Sequence, residues 1–465
     1  MEEPPELPPD PVLLLELETG LPEVSFSRLI HRNADTVEIF ETPGQSPLQL
    51  RFYQMASGDT VTLGRMSGAV GMVPMYWWSS DCGGALRHYD RTDKQWVTQP
   101  ITAGEYALSM AELAMEDGTS MLLYLPKTYL PGENETLTYL PEQDGLLKIL
   151  QIGGRWYFSL QANHPEAACV SDFTMVQGSR PMLNWEHSYC GELWKNYTME
   201  TEGKWCFDGY YWPCPYNYVP TGENCLYCCP AAYLIKSFAY AAPVHPAAEN
   251  LALAMLDTMA LRQNEAGYWP TTPESEWLSA DYGVSAGFYD TRFNADLVNI
   301  YCKYYEQYGG DVLLQAMERY GAYFLDFAQR THFAASSGGW FVPDYEPFTT
   351  TPHCSLNHLL AQCMLLYRLA DHLQQPELEE LSDRMLQAVL DTEEAWIRDN
   401  GDLEYCVFPD GSFGMQDYPY LTYNDLYDMQ QMLLTRTGAV SEELDRLMAR
   451  KRGWMDANGI TGYKK

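Results

Sequence analysis

The chain is short of positive charge. Its 465 residues hold 29 Lys and Arg against 63 Asp and Glu, a net charge of −34. Such a field repels phosphate backbones and anionic bilayers, which sets nucleic acid and membrane-surface partners aside. It also opposes a polyanionic substrate unless a local basic group overrides it. Long apolar runs are missing too: no stretch reaches the roughly 18 consecutive apolar residues that span a bilayer. There is no P-loop, no GxGxxG after a strand and no HExxH, so a nucleotide cradle and zinc-peptidase chemistry are not expected. GxSxG is absent as well. No cofactor and no catalytic metal is expected.

What is present is globular and aromatic. Hydrophobic residues make up 46% and aromatics 14%, with 34 Tyr and 13 Trp. Exposed aromatic faces stack on sugar rings, although the same residues also fill cores. Six of the twelve cysteines lie between Cys190 and Cys229. That density suits an oxidising compartment and predicts at least one disulfide there. Only Cys225 and Cys228 have a zinc-type spacing, so a metal knuckle is the weaker reading. Residues 2–11, EEPPELPPDP, form an acidic, Pro-rich linker that cannot pack. Linkers of this kind follow a cleaved signal or a lipid-anchored cysteine. They place the chain outside the cytoplasm, as a secreted protein or cell-surface lipoprotein whose export signal is absent from the sequence. A disordered cytoplasmic tail is the other reading.

The fold class predicted is α+β multidomain. After the linker at 1–11, residues 12–180 read as a β-rich, sandwich-like domain. GDTVTLG (58–64) and the hairpin QIGGRWYFSL across Gly153–Gly154 carry the strand signal, with one short helix at 103–116. Residues 181–245 form a Cys- and aromatic-rich connection with little periodicity. From Pro246 to the C-terminus the apolar period is 3.6. It predicts helices at 246–263, 292–309, 311–329, 355–373, 376–398, 422–436 and 441–452. Ser355 and Thr422 are placed at N-caps, with Asp425 closing a capping box. Alternating short and long loops suit an α/α toroid of helix hairpins.

Three blocks carry a resemblance. They are GFYDTRFNADLVNIYCKYYEQYGGD (287–311), SLNHLLAQCMLLYRLAD (355–371) and FPDGSFGMQDYPYLTYNDLYDMQ (408–430). This C-terminal region resembles the toroid domain of the D-glucuronyl C5-epimerase family. The family's Tyr-Asp-Leu-Arg-His block is reduced to Leu403-Glu404-Tyr405. Its Tyr-His-Thr-Thr-His run is replaced by Tyr418-Pro419-Tyr420-Leu421-Thr422-Tyr423, with both histidines lost.

The resemblance implies epimerisation of uronate residues in a glycan, with tyrosines moving the proton at C5. The reaction needs two proton-transfer groups on opposite ring faces and donors for the enolate-like intermediate. Tyr289, Tyr405, Tyr418, Tyr420 and Tyr423 are the candidate catalysts. Arg292, Asn294, Asn357, His358 and Asp425 are the candidate substrate-binding groups. Arg292 is read as a bidentate clamp on the uronate carboxylate; on that reading Arg292→Ala ends activity and leaves thermal stability nearly unchanged. It equally fits a helix-start salt bridge with Asp290 or Asp296. His353 reads as a satisfied polar residue, and Glu276 and Asp281 as acids or solvated turn residues. The loops before the helices at 292, 355 and 422 are expected to converge on one cleft. Two other functions stay open. A lyase or glycoside hydrolase on the same toroid would draw on Asp281, Asp290, Asp417 and Asp425. A non-catalytic surface protein would bind the glycan on a degenerate scaffold. Oligomeric state is not readable.

Overall fold

The computed structural model describes residues 28–32, 37–41, 48–90, 92–197, 203–335 and 338–464. The Pro-rich segment 1–11 lies outside the described residues. The chain divides into two compact units. One ends at Met259, and the other holds Ala260–Lys465 with the short pieces Asn217–Val219 and Cys229–Ala231.

The first unit is built on two sheets. The larger runs in the order Arg28–Arg32, Val37–Glu41, Leu48–Met55, Thr60–Ser67, Val170–Gly178, Ser120–Pro131, Leu137–Tyr139, Cys225–Cys228, Gly209–Pro213 and Lys204–Cys206, with three strands off this path. The smaller holds Gly71–Ser80, Arg155–His164, Leu146–Ile152 and Gly104–Tyr106. Leu50, Leu113, Leu123 and Phe173 from the first sheet share one core with Met75, Ile149, Phe158 and Leu160 from the second, the packing of a sandwich. The hairpin at Gly153–Gly154 forms, with Ile152 opposite Arg155. Both glycines have positive φ, 60° and 87°, which a two-residue turn of the primed kind requires.

Three expectations are corrected here. Residues 103–116 are not a helix: Gly104–Tyr106 and Met110–Met115 are strands. Met110–Met115 pairs with Ser120–Pro131 on one side and Gly84–Asp90 on the other, so pairing on both edges outweighs the helix propensity of Ala, Leu, Met and Glu. The stretch 181–245 is not an irregular connection either. It contributes three strands to the large sheet and two helices, α1 (Cys190–Tyr197) and α2 (Tyr233–Ala241). The next helix, α3 (Pro246–Leu261), is apolar on nearly every face and is grouped up to Met259 with the sheets. The predicted disulfide is not formed. All twelve cysteines are free thiols, and the Cys214 and Cys225 sulfurs stand 3.6 Å apart.

The second unit is helical. After the short α4 (Glu276–Tyr282) come three pairs. These are α5 (Thr291–Tyr308) with α6 (Asp311–Thr331), α7 (Leu356–Leu373) with α8 (Pro376–Asp391), and α9 (Leu421–Thr437) with α10 (Glu442–Ala457). Helix α7 is buried along most of its length and packs against α5, α6, α8 and α9. The predicted helix 376–398 stops at Asp391 and passes into a 3-10 turn, Glu393–Trp396. The capping box is not made. Tyr420 takes the N-cap of α9, the Thr422 hydroxyl donates to Asp417 at 2.5 Å, and Asp425 turns to Arg292. A three-stranded ladder, Cys354–Ser355 with Glu404–Val407 and Phe413–Gln416, lies beside the start of α7.

Candidate active site

The starts of α5, α7 and α9 meet at one guanidinium. Arg292 sits in the first turn of α5. Its Nη1 donates to Asp425 Oδ2 at 2.6 Å and to the main-chain oxygen of Asn357 at 3.1 Å. Its Nη2 donates to Asp425 Oδ1 at 3.3 Å, and its Nε faces Asp296 at 3.2 Å. Asn357 opens α7 and Asp425 lies in the second turn of α9, so one side chain crosslinks three helix starts. This corrects the clamp reading. Four of its five N–H groups go to protein acceptors, so a bidentate grip on a substrate carboxylate would have to displace one of them.

Next to it lies a buried acid–imidazole–phenol cluster. Asp290 caps α5, accepting the Phe293 N–H at 2.9 Å. Burial pushes its carboxyl up to about 7, against the opposing pull of those N–H groups and of Arg292. Opposite it in a two-residue ladder is Tyr345, while its neighbour Tyr289 faces Glu346. Asp344 precedes Tyr345. Its carboxylate accepts the Ser355 N–H at 3.0 Å and also the Ser355 hydroxyl. The imidazole nitrogens His353 Nε2 and His358 Nδ1 stand 3.4 and 3.6 Å from it. Burial drives the Asp344 carboxyl well above the usual carboxylate range; the Ser355 bonds oppose that and Asp290 adds to it. Burial lowers His353 to about 4 and takes His358 well below its ordinary value, the latter helped by Arg292. His353 Nδ1 pairs with the Tyr282 hydroxyl and His358 Nδ1 with the Thr291 hydroxyl, each at 2.8 Å.

The tyrosines complete the cluster. The ladder beside α7 brings Tyr405 to 5.7 Å from the His353 ring, centroid to centroid. Tyr418 meets Tyr405 edge to face at 5.8 Å. Tyr405 is 8% exposed and Tyr418 49%, so Tyr418 is the outermost member. Burial raises both phenols above 10, with Asp344 adding to the shift at Tyr405 and Asp290 and Asp417 at Tyr418. Tyr345 is raised in the same way. At neutral pH the phenols are protonated donors, the imidazoles are neutral, and Asp290 exchanges its proton. Among the described residues, no group of three or more His, Cys, Asp or Glu is arranged to hold a metal ion.

Arg292, Asn357, His358, Tyr405, Tyr418 and Asp425 are thus brought together. The other candidates go elsewhere. Tyr289 is fully buried; its hydroxyl bonds Tyr320 at 2.8 Å, and its ring packs on Tyr268, Tyr323 and Phe327. Asn294 spends its amide on Trp269 N, Trp269 O and Asp290 O. Tyr423 is buried against Tyr463. Tyr420 is 43% exposed at the start of α9. Sequence reasoning missed Asp344, Tyr345 and Tyr282 and undervalued His353. The signal was an acid–tyrosine pair in the aperiodic loop VPDYEPF, which nothing in the local pattern marks as close to Asp290.

No family model matches the chain, and no curated protein matches it. Among solved structures, the chain is similar to cellobiose 2-epimerase from Spirochaeta thermophila DSM 6192, with 18% identity and a TM-score of 0.36, over 49% of this chain and 57% of that one. It is similar to a family 76 glycoside hydrolase (mannosidase) from Bacteroides thetaiotaomicron VPI-5482, with 15% identity and a TM-score of 0.35, over 49% and 58%. A second family 76 glycoside hydrolase, from a bovine Bacteroides thetaiotaomicron strain, shows 12% identity and a TM-score of 0.39, over 85% and 75%. The chain spans less than two thirds of the length of the first two.

Proposed function

We propose that this chain is a carbohydrate-active enzyme that epimerises uronate residues of a glycan at C5. The observation that carries the reading is the pairing of Tyr405 and Tyr418, edge to face, beside a buried acid whose carboxyl is held near 7. The roles differ from those first expected. A phenol raised above 10 is a poor base and a good donor, whereas Asp290 at about 7 is matched to accept a proton at neutral pH. Asp290 takes the C5 proton, and the electron pair moves into the adjoining carboxylate to form an enediolate. Tyr405 or Tyr418 returns a proton to C5 from the other face. The phenol not transferring hydrogen-bonds the enediolate oxygen. Helix starts at α5, α7 and α9 add positive dipole ends, which serve an anionic sugar in a chain of net charge −34. The three helix pairs belong, on this reading, to an α/α toroid, and the protein acts outside the cytoplasm.

A second reading is favoured by one observation: Asp290 and Asp344 are two buried carboxyls close enough for one to raise the other. Such a pair suits a glycoside hydrolase. Incubation with a glucuronate-containing polysaccharide in D2O separates the readings. Deuterium at C5 without chain cleavage supports epimerisation. New reducing ends without deuterium support hydrolysis. An unsaturated end supports a lyase, and binding with no product supports a glycan-binding scaffold.

A further inference from the structure

One buried cation in the second unit touches no candidate substrate group. Lys451, on α10, is 0% exposed. Its ammonium lies 2.5 Å from Asp402 Oδ1, 2.8 Å from Asp417 Oδ2 and 2.7 Å from the main-chain oxygen of Tyr418. The ammonium donates to Asp402 Oδ1 and to the Tyr418 main-chain oxygen, and it forms an ion pair with Asp417 Oδ2. The head is fully buried among these three oxygens. Whatever Lys451 does, it does through the segments that it holds.

Those segments are the two that carry the tyrosine pair. Asp402 precedes the strand Glu404–Val407, and its Oδ1 also fixes the Leu403 N–H at 2.8 Å. Tyr405 follows three residues after Asp402. Asp417 is the immediate neighbour of Tyr418, and its other oxygen holds the Thr422 hydroxyl in the first turn of α9. One ammonium therefore ties the root of Tyr405 to the backbone of Tyr418 from a third element. The ring of Trp454, one turn along α10, lies 4.7 Å from the same ammonium and helps to seat it.

The arrangement is expensive for stability alone. Taking an ammonium and two carboxylates out of water costs several kcal/mol per ion, and an apolar side chain of similar volume often packs as stably. Burial indeed raises the Asp417 carboxyl, with Lys451 pulling it back. What an apolar substitute lacks is direction. It would not set the Asp402 and Asp417 segments at a fixed distance and orientation.

We propose that Lys451 is a positioning residue for the Tyr405–Tyr418 pair, setting the contact and facing of the two phenols that the sugar ring meets on the side away from Asp290. The proposal rests on the epimerase reading for its catalytic consequence, while its structural content is independent of it.

The test uses the full chain carrying ¹³Cζ-tyrosine, with the Tyr405 and Tyr418 resonances assigned by Tyr→Phe variants. Lys451→Met is compared with the triple variant Lys451→Met/Asp402→Asn/Asp417→Asn, which removes the three charges together and keeps the volumes. In a folded variant the Tyr405 and Tyr418 signals should shift or broaden while those of Tyr289 and Tyr463 stay in place. With a glucuronate-containing polysaccharide in D2O, kcat for exchange at C5 should fall on the order of 10²-fold, with KM changed far less. Unmoved Tyr405 and Tyr418 signals in a folded variant overturn the positioning role. So does unchanged kcat, and so does unfolding of both variants, which would make Lys451 a fold-holding residue. If the wild-type chain exchanges no proton at C5, the epimerase reading fails, and the tyrosine signals still decide the role of Lys451.

Discussion

Arg292 and Asp425 form a bidentate ion pair between the first turn of α5 and the second turn of α9, with side chains 15% and 8% exposed. Removing one partner leaves the other charged and buried. Arg292→Ala should therefore destabilise the second unit by about 3–5 kcal/mol in urea unfolding, contrary to the near-neutral effect that a substrate clamp would show. The double variant Arg292→Met/Asp425→Leu should recover most of that loss. A single-variant loss below about 1 kcal/mol would show that the pair is not holding the helix starts together.

Two tyrosines that look alike in sequence should separate cleanly. Tyr418→Phe should lower kcat for C5 exchange by about 10²–10⁴-fold with unfolding unchanged. Tyr289→Phe should leave kcat alone and cost about 1 kcal/mol, because the Tyr320 hydroxyl loses a partner inside the core. Equal effects on activity from the two variants would remove the distinction.

Asp290 makes stability depend on pH in a direction opposite to an ordinary carboxylate. Its folded value of about 7 lies above the unfolded value near 3.9. Between those limits the folded chain holds the extra proton, so this group favours folding less as pH rises from about 4 to 7. His353, lowered to about 4, acts the other way: its contribution is lost as pH falls from about 6.5 to 4. Asp290→Asn keeps a side-chain oxygen to cap α5 and removes the titration. Its stability relative to wild type should improve steadily from pH 4 to 7, on the order of a few kcal/mol across the range. A difference that stays flat over that range, followed by chemical unfolding, would contradict the raised carboxyl.

In the β-rich unit, Gly64 lies across from Phe173 in the ladder, and a Cβ built on it meets the Phe173 ring at 2.0 Å. Gly64→Ala should destabilise that unit by about 1–3 kcal/mol through overpacking, visible as a lowered midpoint in thermal unfolding. An unchanged midpoint would mean that the ring swings away without loss.

The helices α5 to α10 were legible because their apolar period is uninterrupted, with one face buried in most and nearly every face in α7; their ends were placed within a few residues, except where α8 gives way to a 3-10 turn. The hairpin at Gly153–Gly154 was legible from its two glycines. The strands at 104–115 were not, since their Ala, Leu, Met and Glu prefer helix until neighbours on both edges claim them; Asp117-Gly118 was the overlooked turn signal. Tyr405 and Tyr418 were found by family resemblance. Asp344 was not singled out and His353 was read only as a satisfied polar residue, because both sit in a loop without period and gain their meaning from partners on other segments. Arg292 was seen with Asp296, four residues away on one helix face, but its main partner is 133 residues distant, where periodicity gives no information.

The pair Tyr289 and Asp290 occupies two successive places on one short strand, the first turned to an aromatic core and the second to the acid cluster. Adjacent strand residues point to opposite faces, so this segment counts its own length. One residue gained between Tyr289 and Asp290 would turn both side chains to the same face, putting a phenol beside the acid cluster or a carboxyl among tyrosine rings. A change of two would restore the alternation. Natural or engineered length variation at this point is thereby restricted in parity, and a library of insertions there should yield active clones in even steps only.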